Sequence, residues 1–327
     1  MEKKILITGG AGFIGSNFVH FMLKKHPEYK IIVLDNLSYA GRKENLQDVL
    51  NKITFIKGDI RNKEDVETAM KDCEEVVHFA ALTHVDRSLM EAGDFVQTDV
   101  FGTFNLLEAA KKSEIKKFLY VSTDEVYGSI KTGSFKETDI LNPRNPYSAS
   151  KAGAELLCRS YFETYGLPVL ITRSTNNYGP YQHPEKFIPK TTIYTLVNKK
   201  IPVYGKGENI RDWVYVEDNC EAIDLVLQKG KFGEIYNIGS KQELQNIVIV
   251  KTILKLLGKG EDLIEFVKDR PGHDLRYSLD ISKIEKLGWK PKIKFEEGIK
   301  KTVSWYNENK DWWKPIIETQ IDFHKNY

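Results

Sequence analysis

The first half of the chain carries its apolar residues in short unbroken runs, KILIT, KIIVLD, ITFIKGD, EVVHFA and KFLYVS. Longer segments with helical patterns, such as NFVHFMLKKH and FGTFNLLEAAKK, separate them. Strands alternating with helices of this length predict a parallel sheet with right-handed crossovers. The runs are apolar throughout rather than alternating, as strands covered on both faces require. The pattern therefore predicts a doubly wound α/β architecture. After about residue 175 the texture changes: NNYGPYQHPEKFIPK, IPVYGKGENIRDW and KDRPGHDLRY are rich in Gly, Pro and polar residues, and between them helices are predicted near 187–199, 217–228 and 246–257. Long loops of this kind in a compact protein line a site rather than build a core. The expected division is a nucleotide-binding unit over 1–175, with chain crossings later, a mainly substrate-binding lobe over 176–315, and a tail over 316–327 that is loosely held after Pro315.

Composition narrows the function classes. Over 327 residues, 48 Lys and Arg stand against 46 Asp and Glu, a formal net charge of +2. Nothing in that balance calls for a nucleic-acid or acidic-membrane partner, so any anion must be held locally. Cys73, Cys158 and Cys220 lie far apart without paired spacing, which argues against a disulfide framework and a thiolate metal site and fits a reducing compartment. The apolar ILI near the N-terminus is interrupted at once by TGGAG, so it reads neither as a signal segment nor as a membrane span. The expectation is a cytoplasmic protein without a metal.

The stretch ITGGAGFIGSN sets Gly9, Gly12 and Gly15 directly after the first strand and into the start of a helix. That spacing allows a tight turn, brings a dinucleotide pyrophosphate against the helix N-terminus, and lets helix and strand pack closely. Asp35 closes the second strand, where a carboxylate would accept from both hydroxyls of an adenosine ribose. It would also repel a 2′-phosphate, favouring NAD over NADP, although Arg42 and Lys43 follow soon after. Asp59 and Ile60, after the third strand, could flank the adenine; Asp59 could equally serve a turn. The expected fold class is thus a Rossmann-type doubly wound sheet with a smaller C-terminal α/β substrate lobe.

NPYSASKAGAE places Tyr147 and Lys151 four residues apart on one face of a helix. A free phenol titrates near ~10 and is a poor base at neutral pH. A neighbouring ammonium favours the phenolate and lets the pair act on a hydroxyl. Upstream, VSTDEVYG follows the fifth strand and sets Asp124 beside Glu125. In a straight strand these side chains would face opposite ways, so they can share a substrate only if the backbone turns there.

The glycine-rich start, the strand ending in VST and the Y-x-x-x-K pair resemble the short-chain dehydrogenase/reductases, in their extended form. The T-D-E triplet, with ITGGAGFIGSNFV, GDIRN, HVDRS, NNYGPYQHPEKFIP, RDWVYVED, RPGHDLRY and WWKP, closely resembles the dTDP-glucose 4,6-dehydratases. That resemblance implies a lyase with tightly bound NAD+, regenerated each turnover. Tyr147 would take the proton of the sugar 4-hydroxyl while the C4 hydride passes to the cofactor, with Thr123 hydrogen-bonding the hydroxyl. Glu125 would take the C5 proton and protonated Asp124 would help the C6 hydroxyl leave as water. It also implies cofactor contacts from Phe13, Ile14, Asn36, Ala80, Ala81 and Thr98, and substrate contacts from His84, Asn176, Lys186, Arg211, Asn246, Arg270 and His273, with Asp86 nearby.

Two stretches depart from the dehydratase pattern: Leu82 stands where Glu is common, and GSKQELQN lacks the usual Asn-Glu start. The second touches a region expected near the nucleotide, so UDP-glucose and CDP-glucose remain alternatives to dTDP-glucose. A sugar-nucleotide 4-epimerase is disfavoured by the acidic pair, since such enzymes carry small neutral residues there. A cofactor-binding protein without catalysis would lack Tyr147 or Lys151. Family members commonly dimerise through the Tyr147 helix and the helix around 98–112, where Phe101, Phe104, Leu107 and Ala110 permit a homodimer interface or an internal stripe. The product would feed rhamnose or related deoxysugars.

Overall fold

Residues 3–269 and 274–320 are described by a computed structural model. Among the described residues twelve strands occur in chain order: β1 Lys3–Thr8, β2 Tyr29–Asp35, β3 Thr54–Lys57, β4 Glu75–His78, β5 Lys117–Thr123, β6 Val169–Ser174, β7 Asn176–Tyr178, β8 Ile201–Tyr204, β9 Ile210–Tyr215, β10 Ile235–Ile238, β11 Glu243–Gln245 and β12 Ile264–Val267. Seven form one sheet in the order β10-β6-β5-β4-β1-β2-β3. Every pairing within it is parallel. Helices cover both faces, and Ile5, Leu6 and Ile7 are completely buried in succession, so the unbroken apolar runs are the mark of strands with no solvent side.

The strand order reverses between β1 and β4, which are neighbours although two strands separate them in sequence. A crevice opens at such a point beyond the carboxyl ends of the strands. Chain segments from beyond residue 175 also complete this layer. The helix Val216–Lys229 packs on the helix Phe13–Lys25, and Cys220, Ile223, Val226 and Leu227 share one core with Phe18, Val19 and Met22.

Smaller sheets, β11-β9-β7 and β12-β8, stand apart from the large one. Strands β7 and β8 and the start of β9 lie within stretches whose Gly, Pro and polar content predicts loops, because short strands can pair without an apolar pattern. The three helices predicted there are Phe187–Leu196, Val216–Lys229 and Asn246–Leu256. The first ends before the predicted 199, since Asn198 takes φ +55° and breaks the helical path.

As far as Gln320 the tail is helical, Lys310–Gln320, and Ile316 is 3% exposed because its apolar side packs inward. The stripe near 98–112 divides. Leu107 and Ala110 are fully buried core, while Phe101 and Phe104 are 45% and 39% exposed and stack with centroids 5.9 Å apart. The segment Val96–Phe101 is π-helical and leads into the α-helix Gly102–Lys112, shifting which residues face inward.

The helix Pro146–Tyr165 is fixed at both ends. Asn145 Oδ1 accepts from Ser148 N at 2.9 Å in a capping box, Pro146 occupies the first turn, and Gly166 ends the helix at φ +68°. Behind it lies Arg173, wholly enclosed, whose Nε donates to Glu155 Oε2 at 3.0 Å and whose guanidinium also reaches the Tyr127 hydroxyl. Arg173→Met would strand the Glu155 carboxylate in the interior. The expected loss is about 3–5 kcal/mol of unfolding free energy, read by urea denaturation, with the Arg173→Met/Glu155→Leu pair recovering much of it.

Candidate active site

The cleft at the strand reversal is walled by the glycine loop, the carboxyl ends of β2 and β4, and the start of the helix Pro146–Tyr165. Gly9 sits at φ +69°, and a Cβ there would lie 2.6 Å from Ala80 N, so loop and β4 approach at a distance that excludes any side chain. Gly15 is equally constrained by the Gly9 carbonyl. The cradle leaves the first turn of the helix Phe13–Lys25 facing the cleft, without any side-chain cap on its amides. This is the arrangement that receives a phosphate group.

Asp35 reaches the same wall. Its Oδ1 accepts from Leu37 N at 2.8 Å and its Oδ2 from Ala11 N at 2.9 Å. Burial pushes its carboxyl up while these two amides pull it down. Each oxygen keeps a further lone pair, so the group can still accept from a ribose diol. Gly12, Phe13, Ile14, Asn36, Ile60, Ala80, Ala81 and Thr98 also line the cleft. Asp59 does not. It turns to Arg61, whose Nη2 donates at 2.7 Å, and accepts from Asn36 Nδ2 at 3.2 Å, so it serves the turn and leaves the wall to Ile60. Burial raises its carboxyl, but the Arg61 hydrogen bonds outweigh this and hold it below the usual range.

At the other end, β5 stops at Thr123 and a single tight helical turn, Asp124–Tyr127, begins at once. The turn breaks the strand alternation between Asp124 and Glu125, the condition their sharing of one substrate imposes. Thr123 Oγ1 accepts from Glu125 N at 3.3 Å and donates to Asp124 Oδ1 at 3.2 Å, and the same hydroxyl lies near enough to the Tyr147 phenol to favour its ionised form. Asp124 is 3% exposed, and its Oδ2 has no partner among the described residues. Burial drives its carboxyl well above the usual range and the Glu125 charge adds to this, against the pull of Arg211.

Tyr147 and Lys151 both line the cleft. Burial, then the charges of Glu125 and Asp99, hold the Tyr147 proton on well above the ordinary phenol value. Lys151 Nζ donates to Val121 O at 2.8 Å and lies 4.3 Å from the centre of the Tyr120 ring. Burial lowers its ammonium, and Asp99 opposes that. Asp99 was not foreseen. Its carboxylate accepts from Ser150 Oγ at 2.6 Å and Leu82 N at 2.9 Å, and burial pushes it up to about 6 against the Lys151 charge. The signal was an acid set among Phe95, Thr103 and Leu106, all of them buried on the same stripe.

Toward the expected substrate end, Lys186 lines the cleft and donates to Thr83 Oγ1 at 3.0 Å. Its ammonium is lowered by burial, with Glu185 and Glu125 opposing. His84 takes the left-handed φ of +99°, and burial lowers its imidazole to about 4, leaving it neutral with Nδ1 4.0 Å from Asp86. Arg211 donates to the carbonyls of Ile210 and Asp274 at 2.7 and 2.9 Å, which hold its guanidinium without neutralising it. Asn176 Oδ1 and Asn246 Oδ1 are buried without a partner among the described residues. None of His84, Asn176, Arg211 and Asn246 is on the cleft wall itself. Arg270 and His273 lie outside the described residues.

Residues 6–302 match the family described as GDP-mannose 4,6 dehydratase. A low-salt glycan biosynthesis protein, Agl12, of Haloferax volcanii is 52% identical, covering 92% of this chain and 98% of its own length. A dTDP-glucose 4,6-dehydratase of Streptomyces niveus is 46% identical over 96% of this chain and 95% of that protein. Among solved structures, the dTDP-glucose 4,6-dehydratase DesIV of Streptomyces venezuelae, crystallised with NAD bound, superposes with a TM-score of 0.94. It is 48% identical over 96% of this chain and 99% of its own.

The enclosed carboxyl of Asp124 makes stability depend on pH. An unfolded Asp titrates near ~3.9, whereas the folded group holds its proton well above that. As pH rises past the unfolded value the unfolded chain releases this proton and the folded one does not, so the site costs stability progressively. Asp124→Asn removes that cost. Its melting temperature relative to the wild type is expected to rise between pH 4 and pH 8, as measured by calorimetry; a constant difference would show the carboxyl to be ionised throughout.

Proposed function

The chain belongs to the GDP-mannose 4,6 dehydratase family, and from that premise we propose that it acts as a dTDP-glucose 4,6-dehydratase. It converts dTDP-glucose to dTDP-4-keto-6-deoxyglucose and water and uses NAD that is restored each turnover. Bound NAD+ supplies the acceptor for the C4 hydride, its donor back to C6, and a positive charge that favours a phenolate. The observation that carries the assignment of roles is the turn at Asp124. It gathers Asp124, Glu125 and Tyr147 around the Thr123 hydroxyl, with Asp124 in its acid form.

Tyr147 accepts the proton of the 4-hydroxyl, with Thr123 orienting that hydroxyl and Lys151 supplying the charge that makes the phenol a base. Oxidation at C4 acidifies the C5 hydrogen, which Glu125 removes. Asp124 gives its proton to the C6 oxygen, and the C6–O bond breaks to release water. Glu125 then returns its proton to C5 as C6 is reduced. One cycle leaves a proton on Tyr147 and takes one from Asp124; Thr123, hydrogen-bonded to Asp124 and close to the Tyr147 phenol, lies on the path that restores them. The Lys186 ammonium on the cleft wall, and beyond it His84, Arg211 and the partnerless oxygens of Asn176 and Asn246, are the polar groups that would meet the sugar diphosphate, with Arg270 and His273 as further contacts by resemblance.

A homodimer is supported by an apolar surface on adjacent helices: Leu89, Val96 and Leu156 are each more than half exposed, beside the Phe101–Phe104 pair. The expected mass by light scattering is twice 37.6 kDa. The three free cysteines, all buried, fit a reducing cytoplasm. No described helix is long and apolar enough to cross a membrane. The keto-deoxy product suits deoxysugar biosynthesis, rhamnose among the outcomes.

The test is a mass and NMR product assay with dTDP-, UDP- and CDP-glucose in parallel and no added NAD. Loss of one water from dTDP-glucose is expected, and conversion to the galactose isomer without mass change would overturn the reading. Faster turnover of UDP- or CDP-glucose would reassign the base. Glu125→Gln and Asp124→Asn should each lower kcat by about 10²–10⁴-fold. A fully active Asp124→Asn would remove its role as the acid.

A further inference from the structure

Trp312 belongs to the helix Lys310–Gln320, close to the end of the chain, yet its indole reaches the support of the glycine loop. Its Nε1 donates to Asn45 Oδ1 at 2.8 Å. Asn45 is 1% exposed, and its Nδ2 donates to Ala11 O at 2.8 Å. Ala11 O accepts also from Arg42 N at 2.9 Å, while Ala11 N donates to the Oδ2 of Asp35 at 2.9 Å. Both ends of the Ala11 residue are therefore held, one by the Asn45 amide and one by the acid that faces the ribose position.

We infer that Trp312 is a positioning residue for the dinucleotide: by donating to Asn45 Oδ1 it sets which way the Asn45 amide faces, and through Ala11 it holds the glycine loop and Asp35 in register. A side-chain amide presents an acceptor on one side and a donor on the other. With its oxygen engaged by the indole, the NH2 must point at Ala11 O. Without that donor the amide is free to turn over, and two oxygens would then face each other in a buried space. The Asn45 backbone is secured independently, since its N donates to Arg42 O at 3.1 Å and its carbonyl accepts from His20 Nε2 at 2.9 Å. Trp312 thus governs the orientation of one amide rather than the folding of the segment.

The aromatic packing makes a clean variant available. Trp312 lies 5.0 Å from Trp305 and 6.0 Å from Tyr181 between ring centres, contacts that Trp312→Phe largely keeps while removing the N–H. Its neighbour Trp313 serves as the control, because its Nε1 donates at 2.7 Å to Tyr306 O, away from the loop.

The inference rests on the NAD reading above, and the experiment separates the two. Purified protein carrying its own NAD is mixed with labelled NAD, and the exchange rate is followed without any sugar nucleotide. The wild-type rate depends on the cofactor reading alone, and the ratio of variant to wild type tests the link. Trp312→Phe is expected to exchange about tenfold faster, the change in rate that one lost buried hydrogen bond corresponds to. Asn45→Ala should accelerate exchange at least as much, and the double variant no more than Asn45→Ala, since the two act in series. At saturating NAD, kcat of Trp312→Phe should match the wild type. Trp313→Phe should lower the melting temperature with exchange unchanged. Exchange in folded Trp312→Phe within twofold of wild type, or equal acceleration in Trp313→Phe, would overturn the inference.

Discussion

All seven strands of the large sheet run in one direction, so their carboxyl ends open on a single edge while both faces stay under helices. The residues that line the cleft gather along that edge. Gly9 follows β1, Asp35 ends β2, Ile60 follows β3, Ala80 and Ala81 follow β4, and Thr123 ends β5. The reversal of strand order between β1 and β4 then parts the flanking helices and leaves room for a ligand there. The smaller sheets bring Asn176 and Arg211 to the same side, on strands that pair with each other through β7 and β9.

Burial dominates the electrostatics of this edge. It raises Asp124, Tyr147 and Asp99 and lowers Lys151, Lys186 and His84, in each case favouring the neutral form. The opposing charges are distributed so that each retained ion has a counter-charge nearby, Asp99 for Lys151 and Glu185 for Lys186. Asp124 is the exception, with Glu125 rather than a cation beside it as the stronger influence. Of two consecutive carboxyls, Asp124 is thus the one that its surroundings press toward the protonated form. The fully buried Arg173–Glu155 pair stands at the other extreme, a guanidinium and a carboxyl group enclosed together and hydrogen-bonded to each other.

Much of this was legible in the chain. Apolar runs mark the strands, because a strand covered on both sides admits a polar residue only where a buried partner meets it. The glycine spacing located the loop, since only residues without a Cβ fit against Ala80 and the Gly9 carbonyl. Tyr147 and Lys151 fell on one helical face by spacing alone. Less legible were the short strands β7, β8, β11 and β12, whose pairing partners are remote and whose sequences carry no alternation. Asp59 was ambiguous because a turn acid and a ligand acid look alike until Arg61 is seen to occupy it. Asp99 is less legible because a stripe holding Phe95, Thr103 and Leu106 marks a buried face without saying that the acid on it meets Lys151.

By itself the sequence determined the layer architecture, the position of the glycine loop and which side chains are candidates for the chemistry, since each follows from local spacing and side-chain chemistry. The tertiary structure decided what those side chains are worth: whether Asp124 carries a proton, which oxygens lack a partner, and that a tryptophan near the end of the chain steadies the loop at its beginning. Such properties depend on burial and on contacts between residues hundreds of positions apart, and no local pattern encodes them.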